Sequence, residues 1–133
     1  MLDIAHDKQL IEELWESAAT KVRLTEPLRQ FMEPHGAMPI YPENRRAYHR
    51  YFMRGKAVVL RGDATLAAYT KDVSRQGIGF LSPVQLLPKE RVRLRVPKAQ
   101  LSLEIVRCRR VDPDCFECGA RFALEPGLIR STN

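Results

Sequence analysis

The residues best suited to chemistry lie in one short stretch, residues 44–54, which reads NRRAYHRYFMR. Its four arginines are interleaved with tyrosine, histidine and phenylalanine side chains. A guanidinium group donates forked hydrogen bonds to phosphate oxygens or to a guanine edge, and its flat face stacks on bases. The stretch therefore predicts contact with a phosphate-containing and base-containing ligand. A solvated basic linker before a strand has the same composition, and this alternative stays open at this point.

A second stretch, residues 72–79, combines an acid, a hydroxyl and two glycines in the order DVSRQGIG. Taken alone, Asp72 and Ser74 are typical of a turn, and the glycines accommodate that turn before a strand resumes. A carboxylate also accepts hydrogen bonds from the N1 and N2 donors of guanine, and a glycine lets backbone approach a flat ligand closely. The turn explains why these residues are tolerated. It does not explain why they follow an arginine cluster in this order.

Together the two stretches resemble the PilZ domain, a bacterial family of receptors for the second messenger cyclic di-GMP. The resemblance rests on Arg46-x-x-x-Arg50, followed within thirty residues by Asp72-x-Ser74-x-x-Gly77. It covers roughly residues 44–124 and leaves the first 43 residues outside. In that family the arginine motif precedes the first strand of a six-stranded antiparallel β-barrel. The second motif lies on the barrel surface, and the dinucleotide is clamped between the two.

The resemblance also implies roles for individual residues. Arg46 and Arg50 would bind phosphate and guanine, while Asp72 and Ser74 would contact the other guanine face and edge. Arg45 resembles the extra basic residue of members that take up two stacked ligand molecules. The implied cyclic di-GMP site consists of Arg45, Arg46, Arg50, Asp72, Ser74, Gly77 and Gly79. The implied action is nucleotide-dependent signalling through a conformational change, with neither catalysis nor a cofactor.

Charge and composition limit the partners without choosing one. The net charge of +6 and the pI of about 9.5 favour an anionic partner, such as a nucleotide, a nucleic acid or an acidic protein face. No apolar run reaches the roughly 20 residues that span a bilayer, and the first residues lack the pattern of a secretory signal. An odd number of cysteines, three, favours reduced thiols. We therefore expect a cytoplasmic protein without a membrane span.

The N-terminal region predicts helices. Residues 7–24 carry one apolar stripe at helical spacing, and a short second helix is expected over residues 26–33 with Pro27 in its first turn. Residues 34–44 contain three prolines and a glycine, which predicts an irregular linker. The stripe suits either a cover over the following domain or a surface for a protein partner or a homodimer. Its members are Leu10, Ile11, Leu14, Trp15, Ala18 and Val22.

After the arginine cluster the apolar period changes from that of a helix to that of a strand. The predicted strands cover residues 53–61, 64–71, 77–82, 90–97, 99–111 and 115–124. Gly62-Asp63 predicts a hairpin turn, and a change of phase near Val106 predicts a β-bulge. Six strands at hairpin-like spacing predict a mainly-β fold, a closed or nearly closed antiparallel barrel. We assign residues 1–43 to a helical extension and linker, 44–124 to the barrel and 125–133 to a tail.

Metal binding and catalysis have little support in the sequence. Cys115 and Cys118 are three residues apart on a predicted strand, so their thiols should point to opposite faces. Zinc needs about four ligands that converge, and we therefore expect no metal, a buried Cys118 and a partly exposed Cys115. The three histidines are scattered, and none accompanies a plausible nucleophile. We expect no enzyme activity.

Two other functions remain open. The barrel could bind nucleic acid through the arginines of residues 91–95 and 107–110, with Tyr48, Tyr51 and Phe52 stacking on bases. Alternatively, the chain could be an adaptor that acts through its N-terminal helix and keeps only a vestigial ligand site. Nucleic acid is the less favoured partner, and the salt dependence of binding separates nucleic-acid binding from binding of cyclic di-GMP. Binding through many phosphates weakens steeply with salt, whereas a dinucleotide with two phosphates should respond less.

Overall fold

The computed structural model describes residues 4–33, 36–37 and 50–123. Two helices and eight strands follow one another in this part of the chain. They are α1 (Ile4–Ser17), β1 (Thr20–Lys21), α2 (Glu26–Phe31), β2 (Gly36–Ala37), β3 (Tyr51–Arg61), β4 (Ala64–Val73), β5 (Gly77–Ser82), β6 (Arg91–Val96), β7 (Ala99–Asp112) and β8 (Cys115–Phe122). The predicted boundaries after residues 43 and 124 lie beside or within stretches outside these ranges and stay predictions.

The six long strands form a closed antiparallel barrel, which confirms the predicted fold class. Around the barrel the order is β4-β5-β8-β7-β6-β3, and β3 pairs with β4 to close the ring. Closure leaves no long strand with an unpaired edge. The predicted hairpin between β3 and β4 is also confirmed. Gly62 lies in its turn with a φ of 56°, a conformation that glycine adopts without steric cost.

The barrel interior is apolar because alternate residues of each strand point inward. On β6, Val92 and Leu94 are buried, while Arg91 and Arg93 face outward, as the alternation predicted. Each fully buried large aliphatic or aromatic side chain contributes about 1.5–3 kcal/mol. The large side chains with no exposed surface are Ile78, Phe80, Leu86, Leu94 and Leu103, and Val59 lies in the same cluster.

The predicted helix over residues 7–24 is wrong beyond Ser17. There α1 ends, and Thr20 and Lys21 form a short parallel strand beside Leu66 and Ala67 of β4. The apolar stripe continued to residue 22 because the extended segment is buried on the same surface as the helix. Val22 is 4% exposed, and its backbone N–H donates to a carbonyl of β4 at 2.9 Å. Apolar spacing alone could not separate the two conformations.

The N-terminal elements cover one outer face of the barrel. Trp15 and Val22 pack with residues of β4, β5 and β8 in a second apolar cluster outside the barrel interior. The indole Nε1 of Trp15 donates to the carbonyl of Ala68 at 2.8 Å. The ammonium of Lys56 lies 4.7 Å from the centre of the Trp15 ring and 2.9 Å from a carboxylate oxygen of Glu12. Helix α1 is thus attached to the barrel by packing, a hydrogen bond and an ion pair.

Cys115 and Cys118 lie on opposite faces of β8, as their spacing predicted. Cys118 points into the barrel interior, whereas Cys115 belongs to the cluster beneath the N-terminal elements. The expectation that Cys115 is partly exposed is wrong, because those elements bury it completely. This burial raises the pKa of the Cys115 thiol to about 11. The two thiols cannot converge on one ion, and the expectation that the chain binds no metal stays a prediction.

Within the described ranges, neither helix has the length and apolar character needed to span a membrane.

Candidate functional site

The arginine stretch joins the barrel beside the second motif. Tyr51 and Phe52 at the start of β3 pair with Gly36 and Ala37 of β2, which lie inside the linker predicted to be irregular. That expectation is wrong for these two residues, whose backbone extends the sheet. Phe52 also pairs with Asp72 on β4. Arg50 therefore enters the sheet next to Asp72, while Arg45 and Arg46 lie outside the described residues.

A row of directly paired residues crosses the outer surface of the barrel. Phe52 pairs with Asp72, Asp72 with Gly79, Gly79 with Gly119, and Gly119 with Arg107. Directly paired residues on adjacent strands share one face of the sheet. We call Gly79 and Gly119 the glycine floor, because neither adds a side chain to this surface. With about 4.8 Å between strands, the floor separates the backbones of Asp72 and Arg107 by roughly 14 Å.

An ion pair joins the two sequence motifs. Nη2 of Arg50 donates to Oδ1 of Asp72 at 2.7 Å, with the Asp72 side chain 3% exposed and that of Arg50 20% exposed. Nε of Arg50 is buried and donates to no acceptor among the described residues. A buried donor without an acceptor is costly. Arg50 therefore has one donor bound to Asp72 and another that an incoming acceptor could satisfy.

Asp72 is held as a carboxylate. Burial alone would raise the pKa of Asp72, but the hydrogen bond from Arg50 and the charge of Lys71 outweigh it and hold that pKa below its ordinary value. Lys71 Nζ lies 3.4 Å from Asp72 Oδ2 and 2.6 Å from Glu117 Oε2. Glu117 in turn accepts from Arg109 at 2.9 Å. Charges of alternating sign thus extend from the site across β4 and β8, and Asp72 acts as an acceptor at neutral pH.

We expect acid to remove part of the stability through Asp72. Because its pKa is depressed in the folded protein, its contribution is present above the unfolded value of about 3.9 and is lost as pH falls through the folded value. Asp72→Asn should be less stable than the parent at pH 7, with a shallower decline below about pH 5. Urea unfolding at a series of pH values measures this. Asp63→Asn, in the exposed β3–β4 turn, should follow the parent. Parallel curves for the parent and Asp72→Asn would contradict the expectation.

Ser74 closes the turn between β4 and β5. Its hydroxyl oxygen accepts from the backbone N–H groups of Gln76 at 3.2 Å and Gly77 at 3.3 Å. Its own N–H donates to the carbonyl of Gly77 at 2.9 Å. The turn predicted from the sequence is present, and it uses the acceptor capacity of the hydroxyl. The hydroxyl proton is still available as a donor to a ligand.

The glycines of the second motif are required for different reasons. A Cβ on Gly77 would overlap the backbone carbonyl oxygen of Ala120 in β8. A Cβ on Gly79 would lie 2.7 Å from Oδ1 of Asp72, the oxygen that binds Arg50. Gly77 thus permits close packing of β5 on β8. Gly79 permits the Asp72 carboxylate to lie over the sheet beside Arg50.

A shallow cavity of about 270 Å³ connects the two motifs on this surface. Arg50, Ser74, Gly77, Arg107, Gly119 and Arg121 contribute to its lining. A larger cavity of about 600 Å³ lies between α1 and strands β3 and β4, and none of the described residues of either motif lines it. The smaller cavity is the candidate site, because it is the one that brings residues of both motifs together.

The family model for the PilZ domain matches residues 44–129, which is more than half of the chain. The chain belongs to the PilZ family. This confirms the resemblance seen in the sequence, and PilZ domains are a family of cyclic di-GMP receptors. None of the curated proteins compared with the chain matches it.

In this PilZ domain, five of the seven predicted site residues lie together on one surface of the barrel. They are Arg50, Asp72, Ser74, Gly77 and Gly79. Their ligand-binding roles, and those of Arg45 and Arg46 outside the described residues, stay predictions. Sequence reasoning did not assign Lys71, Glu117, Gly119 or Arg107 to this site, and it named Arg107 only within the possible nucleic-acid face of residues 107–110. The change of phase at Val106 was the one signal for Arg107, because it shifts which residues of β7 face outward.

Proposed function

We propose that this PilZ protein is a cytoplasmic receptor that binds cyclic di-GMP between its Arg-x-x-x-Arg segment and the surface formed by Asp72, Ser74 and Gly79. In this proposal it acts without catalysis, cofactor or metal, by a conformational change that affects a protein partner. The family match supports the ligand. The observation that carries the site is the 2.7 Å ion pair between Arg50 and Asp72, which places the two motifs in contact.

The ion pair also offers a mechanism for ligand entry. A phosphate of the ligand can take over the guanidinium of Arg50, including its unsatisfied Nε donor. Asp72 then keeps Lys71 as a cationic neighbour and can accept from the N1 and N2 donors of a guanine. Hydrogen bonds to charged groups contribute about 1.5–3 kcal/mol each. After ligand entry Arg50 would be paired with a phosphate, and Asp72 with Lys71 and a guanine, so the exchange leaves no buried charge unpaired.

A calorimetric titration tests the ligand and its base. The chain should bind cyclic di-GMP, with GTP as the control, and should bind cyclic di-AMP roughly ten- to a hundredfold more weakly. Adenine lacks the N1 and N2 donor pair, so an adenine ligand would leave Asp72 without its guanine contact at a cost of about 1–3 kcal/mol. Similar affinities for the two dinucleotides would mean that only phosphates are recognised, and would contradict the assigned role of Asp72.

Strand β4 connects the ligand site to helix α1, because it carries Asp72 and also the carbonyl that binds Trp15. Trp15 binds the carbonyl of Ala68, and its ring lies 5.4 Å from that of Tyr69, a few residues before Asp72. A ligand that displaces Arg50 from Asp72 acts on the same strand. The apolar face of α1 can then be transferred between the barrel and a partner. Such a shift cannot exceed the difference in ligand affinity between the two arrangements.

We expect cyclic di-GMP to slow hydrogen exchange around Arg50 and to shift the fluorescence emission of Trp15. Trp15 is the only tryptophan, so its emission reports on α1 directly. Arg50→Ala is the control, since it should abolish both responses at the same ligand concentration. If exchange slows while Trp15 emission does not change, α1 is a structural cover and the proposed output through this helix is wrong.

The nucleic-acid alternative has weaker support. Arginines on the outer faces of β6, β7 and β8 are exposed, but several bind carboxylates. Arg91 and Arg121 both lie within 4 Å of Glu104, at 3.7 and 3.0 Å, and Arg109 binds Glu117. These pairs reduce the positive potential that a phosphate backbone would encounter. A steep loss of binding to single-stranded DNA or RNA with salt, together with no binding of cyclic di-GMP, would favour this alternative.

A further inference from the structure

A β-bulge directs Arg107 onto the candidate site. The register between β7 and β8 shifts between Ile105 and Arg107, with Val106 as the extra residue. Ile105 points into the barrel interior, and without the bulge Arg107 would point the same way. With the bulge, Arg107 is paired with Gly119 on the outer surface. Bulges change the direction of a side chain in this manner, often near binding sites.

The charge of Arg107 is not neutralised within the described part of the chain. Its neighbour Arg109 binds Glu117 at 2.9 Å, and Arg121 binds Glu104 at 3.0 Å. For Arg107, no hydrogen bond or ion pair connects the guanidinium to another described residue. The guanidinium nevertheless lies on the wall of the cavity that contains Arg50 and Ser74.

The guanidinium of Arg107 lies against the glycine floor. A Cβ built on Gly119 would be 3.1 Å from Nη1 and 3.2 Å from Cζ of Arg107. One side of the Arg107 group therefore rests over Gly119. Val106, which is 52% exposed, adds an apolar surface beside it. A planar cation with an apolar side chain beside it suits the face of an aromatic base better than a phosphate.

We propose that Arg107 forms a base subsite, in which a guanine of cyclic di-GMP stacks on the face of the Arg107 guanidinium that points away from Gly119. This rests on the proposed function and adds a residue of β7 that lies outside both motifs. Asp72 and Arg107 stand at opposite ends of the floor, with backbones about 14 Å apart across three strand spacings. One ligand base contacts Asp72, and the other lies at Arg107.

Titration of the full chain with cyclic di-GMP tests this subsite. Arg107→Ala should weaken binding about tenfold, as expected for loss of one stacking contact between the planar guanidinium and a base. Arg107→Lys keeps the charge but not the planar group, and it should be weakened nearly as much. Arg110→Ala is the matched control. It removes one exposed arginine of the same strand, which lies over Phe116 and lines no part of this cavity, and its affinity should stay within about twofold of the parent.

Gly119→Val provides an independent variant, because its side chain would displace the Arg107 guanidinium and occupy the floor. It should lose affinity to at least the same extent while its thermal unfolding stays cooperative. Parent-like affinity of Arg107→Ala, with Arg50→Ala still defective, would overturn the subsite and leave the proposed function standing. Parent-like affinity of Arg107→Lys would show that charge alone is used and would overturn the base subsite. A parent chain that binds no cyclic di-GMP would overturn both.

Discussion

Replacing Arg50 with alanine should weaken cyclic di-GMP binding roughly ten- to a hundredfold, because a hydrogen bond between charged groups contributes about 1.5–3 kcal/mol. The side chain of Arg50 contacts Asp72 of the second motif, and its unsatisfied Nε adds a further donor for a phosphate. We expect the same loss for Arg46→Ala, from the motif spacing. Calorimetry measures the affinity, and circular dichroism checks that the barrel stays folded.

The Arg50→Ala result needs a control for the charge that it leaves behind. Removing Arg50 leaves the buried Asp72 with Lys71 at 3.4 Å as its ion-pair neighbour. The double variant Arg50→Ala/Asp72→Asn removes that charge as well. It should recover stability relative to Arg50→Ala without recovering ligand binding. Arg91→Ala, on the outer face of β6, should bind like the parent. Unchanged affinity in both Arg50→Ala and Arg46→Ala would exclude this surface as the ligand site.

Gly77→Ala should destabilise the barrel by about 3 kcal/mol or more, near the upper end for a residue that is too large for its position. The added Cβ would overlap a backbone oxygen of Ala120, and that backbone is fixed in the ladder between β5 and β8. Relief therefore requires two paired strands to separate, rather than one side chain to turn. Urea unfolding followed by Trp15 fluorescence measures the change in the free energy of unfolding.

Gly55→Ala is the matched control for Gly77→Ala. Gly55 lies in β3, its φ is not in the left-handed region, and nothing lies within 4 Å of a Cβ built there. Its stability should stay within about 1 kcal/mol of the parent, because glycine in a strand is itself slightly unfavourable. If the two variants unfold at the same urea concentration, the close packing of β5 on β8 does not restrict the size of the side chain at residue 77.

The barrel was predictable because each strand carries its own signal. Val92 and Leu94 alternate with arginines, Gly62 occurs where a hairpin must turn, and the phase changes at Val106 where the bulge is found. The predictions were wrong where tertiary packing, and not the local sequence, determines the conformation or the burial of a segment. Helix α1 was extended past Ser17 because Val22 is buried on the same surface. Cys115 was expected to be partly exposed, although the N-terminal elements cover it.

The site was predictable in part, and the limit is strand register. The motifs identified Arg50 and Asp72 because their spacing along the chain resembles a known pattern. Gly119 and Arg107 could not be found in this way. They meet Gly79 only through pairing of β5 with β8 and of β8 with β7, which joins residues far apart in sequence. Lys71 and Glu117 likewise look like ordinary charged residues on strands until the barrel closes.

The pairing of β2 with β3 has a consequence for the entropy of ligand binding. Gly36 and Ala37 are hydrogen-bonded neighbours of Phe52 and Tyr51, so the stretch that carries Arg45 and Arg46 begins and ends on one ladder. The entropy cost of bringing its two ends together is met when the sheet forms, and the ligand does not have to supply it. Doubling the length of a flexible loop adds only about 0.6 kcal/mol to its closure cost. Affinity should therefore depend on the positions of the arginines far more than on the length of the chain that presents them.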